Sequence, residues 1–174
     1  MSVAYTEFFL TSWLLPGIKS AFNPQLALIL APVAFLGVLI RLLAFYSASS
    51  NFHHLVRYEK EEGHELITTG IYAFERHPGY LGFFIFSVTS QFLIKNIFSG
   101  FAFIYVLWNF FYDRICDEEC CLIWFFKADY ILYREKVRTW IPLVEGKVTE
   151  ELVIRKMIAP PDQRWAARRP RNSD

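Results

Sequence analysis

Residues Gln25 to Tyr46 read QLALILAPVAFLGVLIRLLAFY, and their one charge, Arg41, stands near the end. As a helix rising about 1.5 Å per residue, this stretch crosses the roughly 30 Å of hydrocarbon in a bilayer. Membrane helices tolerate internal breakers such as Pro32 and Gly37. Arg41 can carry its charge to the interface on a long apolar stem. The chain is therefore read as a membrane protein, and its other segments are placed around this helix.

Upstream, Val3 to Ile18 is apolar but contains Glu7 and Pro16-Gly17, which makes it a marginal membrane helix. The N-terminus has no basic stretch and no small-residue cleavage site, so it reads as retained. Downstream, Ser47 to Gly79 is polar. The charged run from Arg57 to Glu65 belongs outside the bilayer core, as a solvated loop or helix face. Two apolar runs follow, Tyr80 to Ile94 and Asn96 to Tyr112. The first would be about 22 Å long as a helix, short for a span. Together they fit a helical hairpin with its tip at Lys95-Asn96. Asp113 to Tyr133 reads as a separate amphipathic helix, with Asp117, Glu118 and Glu119 near its start, where the helix dipole favours acids. Pro142 and Gly146 are expected to end the ordered region. The basic tail after Pro160-Pro161 is expected to be disordered.

Composition agrees with this outline. Hydrophobic residues make up 54% of the 174, aromatics 18%, and Phe alone occurs 18 times. That is more apolar than an ordinary soluble domain. A net charge of +1 gives no reason to expect nucleic acid as a partner. The basic residues are uneven: Arg57, Lys60 and Arg76 follow the long helix, many more lie between Arg134 and Arg171, and the other side has only Lys19 and Lys95. The positive-inside bias places the loop and the C-terminus in the cytosol. Cys116, Cys120 and Cys121 are too few and too close for a disulfide framework. They are expected to be reduced and to lie on a helix near the cytosolic surface. His53, His54, His64 and His77 lack the spacing of a metal-binding helix, so no metal is expected.

Two polar clusters flank the hairpin: Gly70-Ile71-Tyr72-Ala73-Phe74-Glu75-Arg76-His77-Pro78-Gly79-Tyr80 before it, and Asp113-Arg114-Ile115-Cys116-Asp117-Glu118-Glu119 after it. A hairpin returns both to one membrane face. Arg114 and Glu118 share a helix face at four-residue spacing. Tyr72, His77 and Tyr80 bring polar atoms to the edge of an apolar slot, the composition of a small-molecule pocket. On the residues alone plainer readings stay open: an interfacial Arg-His-Pro turn, and a surface ion pair contributing a few tenths of a kcal/mol at most, about 0.5.

Further elements extend the pattern: Ser50-Asn51-Phe52-His53-His54, Glu59-Lys60, His64, Thr69-Gly70-Ile71-Tyr72-Ala73, Arg76-His77-Pro78-Gly79-Tyr80, Gly82, Asp113-Arg114, Glu118-Glu119, Phe125-Phe126, Tyr130, Tyr133 and Ile141-Pro142. In order and spacing they resemble the isoprenylcysteine carboxyl methyltransferase family, over Arg41 to Lys147. Two departures stand out. Animal members have more membrane helices upstream, and the family's Asn-Pro at the hairpin tip is Asn96-Ile97 here.

The resemblance implies an all-α, multi-pass membrane helical bundle with a helical hairpin and a cytosolic cofactor pocket. It implies a methyltransferase domain over residues 1–147 and a basic, partly disordered cytosolic tail over 148–174. It places the enzyme in the endoplasmic reticulum membrane, within the lipid bilayer. The implied reaction is methylation of the C-terminal carboxylate of prenylated cysteine in processed CaaX proteins, with S-adenosyl-L-methionine as methyl donor. Arg57, His64, Glu65, Leu66, Ile67, Tyr72, His77, Pro78, Gly79, Tyr80 and Glu118 would contact that cofactor. Arg114 would hold the substrate, with Arg114 and Glu118 as the catalytic pair. A phospholipid or other small-amine methyltransferase of the same superfamily is the alternative, and Asn51-Phe52-His53-His54 with Glu59-Lys60 argues against it. A membrane sterol reductase would carry Lys-Tyr-Gly-x-x-Trp where this sequence has Phe126-Lys127-Ala128-Asp129-Tyr130.

Overall fold

The structure is a computed structural model that describes residues 2–14, 17, 24–48, 65–141, 144 and 148–158. Arg57 and His64 lie outside the described residues, as do the Asn51 to Lys60 elements and the tail beyond 158. The described elements are all helical. They are α1 (Ser2–Leu14), α2 (Pro24–Ala48), a 3-10 turn (Gly70–Ala73), α3 (Pro78–Leu93), α4 (Ile97–Phe126), α5 (Ala128–Lys136) and α6 (Glu150–Ile158). One of them, over Gln25–Ala48, is long and apolar enough to cross a membrane, and only 11% of its most apolar window is buried within the protein. The chain forms two compact units, Met1–Tyr46 with His77–Asn109, and Ser47–Arg76 with Phe110–Asp174.

In the first unit, α3 and the start of α4 make the expected hairpin. Lys95 turns the chain in the left-handed region, at φ 63°. The arms then pack side by side: a Cβ on Gly100 would meet the Phe92 ring at 2.7 Å, and Phe92 lies edge-on to Phe101 with centroids 5.7 Å apart. Helix α1 docks on the tip through the residue that had counted against it. The Glu7 carboxylate accepts the N–H groups of Phe98 at 3.0 Å and Ser99 at 2.7 Å. Those donors sit in the first turn of α4 and have no partner within their own helix. A negative charge there is also favoured by the helix dipole. Asn96 adds a bond from Nδ2 to the carbonyl of Ala4 at 2.8 Å.

Helices α2 and α3 touch backbone to backbone. A Cβ on Gly82 would stand 2.5 Å from the carbonyl oxygen of Gly37, and one on Gly37 would stand 2.8 Å from that of Gly82. Small residues at facing positions allow such closeness between membrane helices. Arg41, one turn beyond Gly37, does not behave as the sequence suggested. Its Nη1 donates to the carbonyl of Gly79 at 2.8 Å, and its guanidinium lies 5.0 Å from the ring centroids of both Phe45 and Phe83. A carbonyl and two ring faces hold the charge inside the unit.

The second unit corrects two expectations. The segment from Asp113 is not a separate helix, because α4 runs unbroken from Ile97 to Phe126. It ends at Lys127, whose φ of 47° a continuing helix cannot adopt. Asp117, Glu118 and Glu119 therefore lie deep within a helix, and the dipole does not explain them. The three cysteines form no disulfide and lie buried on α4. Structure also continues past Gly146: Glu150–Ile158 is helical and buries Val153. The core of this unit is Tyr130, Tyr133 and Val137, packed by Leu66, Leu122, Ile123 and Phe126.

The glycine contact makes a direct expectation. Gly82→Ala pushes a methyl against the rigid backbone of α2 and should destabilise the detergent-solubilised protein by roughly 1–3 kcal/mol. Gly100→Ala meets only the Phe92 ring, which can turn aside, and should cost less. Thermal unfolding of both variants checks the order, and a loss at Gly82 no larger than at Gly100 would show that α2 and α3 are not in backbone contact.

Candidate active site

The second unit is organised around one buried carboxylate. Glu119 has no solvent exposure. Its Oε1 lies 3.2 Å from Nε of Arg76, and its Oε2 lies 2.9 Å from Nε of Arg134. Arg76 is also buried and uses the rest of its fork. Nε and Nη2 reach Oγ1 of Thr139 at 3.2 and 3.0 Å, and Nη1 donates to the carbonyl of Arg134 at 3.2 Å. The backbone N–H of Arg76 donates to the carbonyl of Arg138 at 3.4 Å, and Glu75 accepts the N–H of Trp140 at 2.6 Å. Glu75-Arg76 is thereby tied both to α4 and to the segment that leaves α5. Only a planar guanidinium offers enough directed donors for this junction.

Tyr72 sits in the 3-10 turn, which Gly70 opens at φ +63°. Its carbonyl accepts the Tyr133 hydroxyl at 2.6 Å. Its own phenol is half-buried, and burial together with the charge of Glu118 raises its pKa to about 12. It stays a neutral hydrogen-bond donor at any physiological pH. Glu118 is half-buried on α4, and Arg114 lies one turn before it, also half-buried. The predicted Tyr72, Arg114 and Glu118 thus share the second unit, with Tyr72 and Glu118 close enough to interact. Glu65 is exposed there, Ile67 is half-buried, and Leu66 packs on the Tyr130–Tyr133 core.

The other predicted residues, His77, Pro78, Gly79 and Tyr80, belong to the first unit. His77 precedes α3 at its cap position with Pro78 at the first helical position, where the missing N–H costs nothing. The His77 ring is buried and stacks on Tyr80, with centroids 5.8 Å apart and planes 10° from parallel. Gly79 offers its carbonyl to Arg41. Among the described residues, no cluster of His, Cys, Asp or Glu forms a metal-binding set.

Reading the sequence missed Glu119 as the centre, Arg134 as its partner, and Arg41 as an anchor of the Gly79 backbone. Arg134 carried no signal beyond its charge, and Glu119 carried only its place in the Glu118-Glu119 pair of the family pattern. Arg41 carried one, because a charge inside a membrane helix usually has a partner.

The family model for isoprenylcysteine carboxyl methyltransferase matches residues 27–124, more than half of the chain. The chain belongs to the isoprenylcysteine carboxyl methyltransferase family. It is 38% identical over 152 residues to the protein-S-isoprenylcysteine O-methyltransferase of Homo sapiens, covering 83% of this chain and 53% of that protein. It is 43% identical over 148 residues to the one of Saccharomyces cerevisiae, covering 82% of this chain and 62% of the other. A solved structure described as a eukaryotic intramembrane Ras methyltransferase of the same family superposes with a TM-score of 0.78 at 38% identity, covering 83% of this chain and 51% of that one. The chain spans about half to three-fifths of the length of the relatives it matches. Both halves of the Arg76-His77 junction and the whole of α4 up to Trp124 fall within the matched region.

The junction at Glu119 yields the expectation for this family member. Glu119→Ala removes the carboxylate that joins two guanidinium groups, one of them buried, and should cost about 3–5 kcal/mol. Arg134→Ala should cost less, because its side chain keeps 26% of its exposure. Unfolding in detergent measures both, and near-equal small losses would show that Glu119 does not organise the unit.

Proposed function

We propose that this chain is a membrane methyltransferase that esterifies the C-terminal carboxylate of a prenylated cysteine, with S-adenosyl-L-methionine as donor. The observation that carries the proposal is a coincidence. A chain of this family presents Arg114 and Glu118 one turn apart, half-buried, in the same unit as the neutral phenol of Tyr72.

The residues fit such a donor. When bound, it supplies an electrophilic methyl on a sulfonium. An α-amino-acid head needs an acid for its ammonium, and Glu118 provides one. A further donor is in place, because the buried Tyr130 hydroxyl has no hydrogen-bond partner among the described residues. No general base is required of the protein, since a terminal carboxyl has a pKa of about 3.5 and is already ionised at neutral pH. Arg114 holds the acceptor carboxylate by charge-assisted hydrogen bonds and leaves one oxygen free to react. The protein's contribution is alignment and exclusion of water, which can lower a barrier by several kcal/mol, on the order of 7. The prenyl chain gives a reason for the enzyme to sit in a membrane. We place it in the endoplasmic reticulum, with the donor site and the C-terminus facing the cytosol.

The test is cofactor affinity and single-turnover methylation of a farnesylated cysteine analogue. Arg114→Ala should lower the methylation rate at least about tenfold, roughly 1.4 kcal/mol, with cofactor affinity near normal. Glu118→Ala should instead weaken cofactor binding, because it leaves a bound ammonium unpaired. Arg114→Lys should rescue only in part, since an ammonium lacks the planar fork. A normal rate in Arg114→Ala would remove that residue from the substrate site. Tags at the C-terminus and within Lys60-Glu61-Glu62 should both be cleaved by protease added outside sealed microsomes. Protection of either overturns the topology.

A further inference from the structure

Tyr130 is 1% exposed, and it is among the largest fully buried side chains of the chain. It lies in the second unit's core beside Tyr133, ring centroids 5.9 Å apart. The two phenols differ in one respect. Tyr133 donates its hydroxyl to the Tyr72 carbonyl, whereas the Tyr130 hydroxyl is sealed from solvent with no hydrogen-bond partner among the described residues. A buried hydroxyl without a partner is a net cost to folding. Phe would fill the same space without that cost, and this sequence uses Phe 18 times. The hydroxyl is therefore expected to serve something that arrives after folding.

Its surroundings say what kind of group. Burial is the main cause that raises its pKa well above the ordinary phenol value, and Glu119 and Glu118 raise it further while Arg76 opposes them. The phenol is thus neutral and presents a proton. Glu119 is already engaged by Arg76 and Arg134. A ligand that brings a carboxylate here finds those two arginines engaged and Glu118 nearby, so it needs a donor at the point of arrival. An α-amino-acid head carries its ammonium and its carboxylate on one carbon. If Glu118 takes the ammonium, the carboxylate falls within a few ångströms of it, in the neighbourhood of the phenol.

We propose that the Tyr130 hydroxyl donates a hydrogen bond to the α-carboxylate of the methyl donor, and that Tyr130 and Glu118 together recognise its zwitterionic head. This rests on the donor assignment made above and adds the residue that reads the negative end of the head. It also explains why a core position holds a phenol.

The experiment is a two-by-two calorimetric titration of the detergent-solubilised full chain, wild type and Tyr130→Phe. The ligands are S-adenosylhomocysteine and its analogue lacking the α-carboxylate. Removing the hydroxyl or the carboxylate alone should weaken binding about tenfold, as for a hydrogen bond to a charged group. Removing both should weaken it no more than either one. Without ligand, Tyr130→Phe should melt at or above the wild-type temperature, because an unmet donor has gone. Equal affinity of wild type and Tyr130→Phe for S-adenosylhomocysteine overturns this inference and leaves the methyltransferase reading standing. So does a lower melting temperature for the ligand-free variant, which would show a partner within the protein. A loss that persists with the decarboxylated ligand assigns the hydroxyl to another group and also overturns it. Failure of the wild type to bind either ligand removes both readings.

Discussion

A carboxylate with no access to water can stay ionised only if positive charge surrounds it. Glu119 meets that condition through two arginines, one from the polar segment before the hairpin and one from the helix after it. Desolvating three charges is expensive, and a well-packed apolar trio is often as stable. The arginines supply geometry that apolar residues could not. Arg76 binds a carboxylate, a hydroxyl and a carbonyl at once, so the Glu75-Arg76 backbone can occupy one place only. The chain then continues directly into His77, Pro78, Gly79 and Tyr80, and Tyr72 stands four residues earlier. Within the second unit, Tyr72 and the 3-10 turn inherit their position from this junction.

The first unit uses the same device with different chemistry. Its helices are apolar, and apolar surface alone cannot fix their register in a membrane, where lipid tails compete equally well. Register comes instead from a few polar bonds: Glu7 to the first turn of α4, Asn96 to Ala4, and Arg41 to Gly79. The backbone contact of Gly37 with Gly82 sets the spacing of α2 and α3. Each of these residues looks out of place in its segment when read alone, and each has a partner far along the chain.

That distance explains what the sequence revealed and what it hid. The long apolar helix and the hairpin with its tip at Lys95-Asn96 are local patterns, and run lengths were enough to read them. The boundary at Asp113 was also read locally, from a change in polarity. A helix does not end when its surroundings change; it ends when its backbone does, at Lys127. The acids at 117–119 look like a helix start in the sequence because their partners, such as Arg76 for Glu119, are remote. Tyr72, Arg114 and Glu118 came from a family pattern, and the structure places them in one unit with Tyr72 and Glu118 interacting. Glu119, one residue beyond the acid that was chosen, showed its role only once burial was known.

The bond between Glu7 and the tip of the hairpin spans more than ninety residues. Helix α1 precedes the hairpin in the chain, so its carboxylate must wait while the long helix and the first arm of the hairpin are made. Until the start of α4 emerges, a charged side chain in one segment has no counterpart. The amides and the Asn96 side chain in the other are likewise unmet when they appear. Neither segment is comfortable in lipid by itself, and docking relieves both together. Without α1, the amides of Phe98 and Ser99 at the hairpin tip lose the carboxylate that meets them, so the docking of α1 finishes the tip as well as the helix.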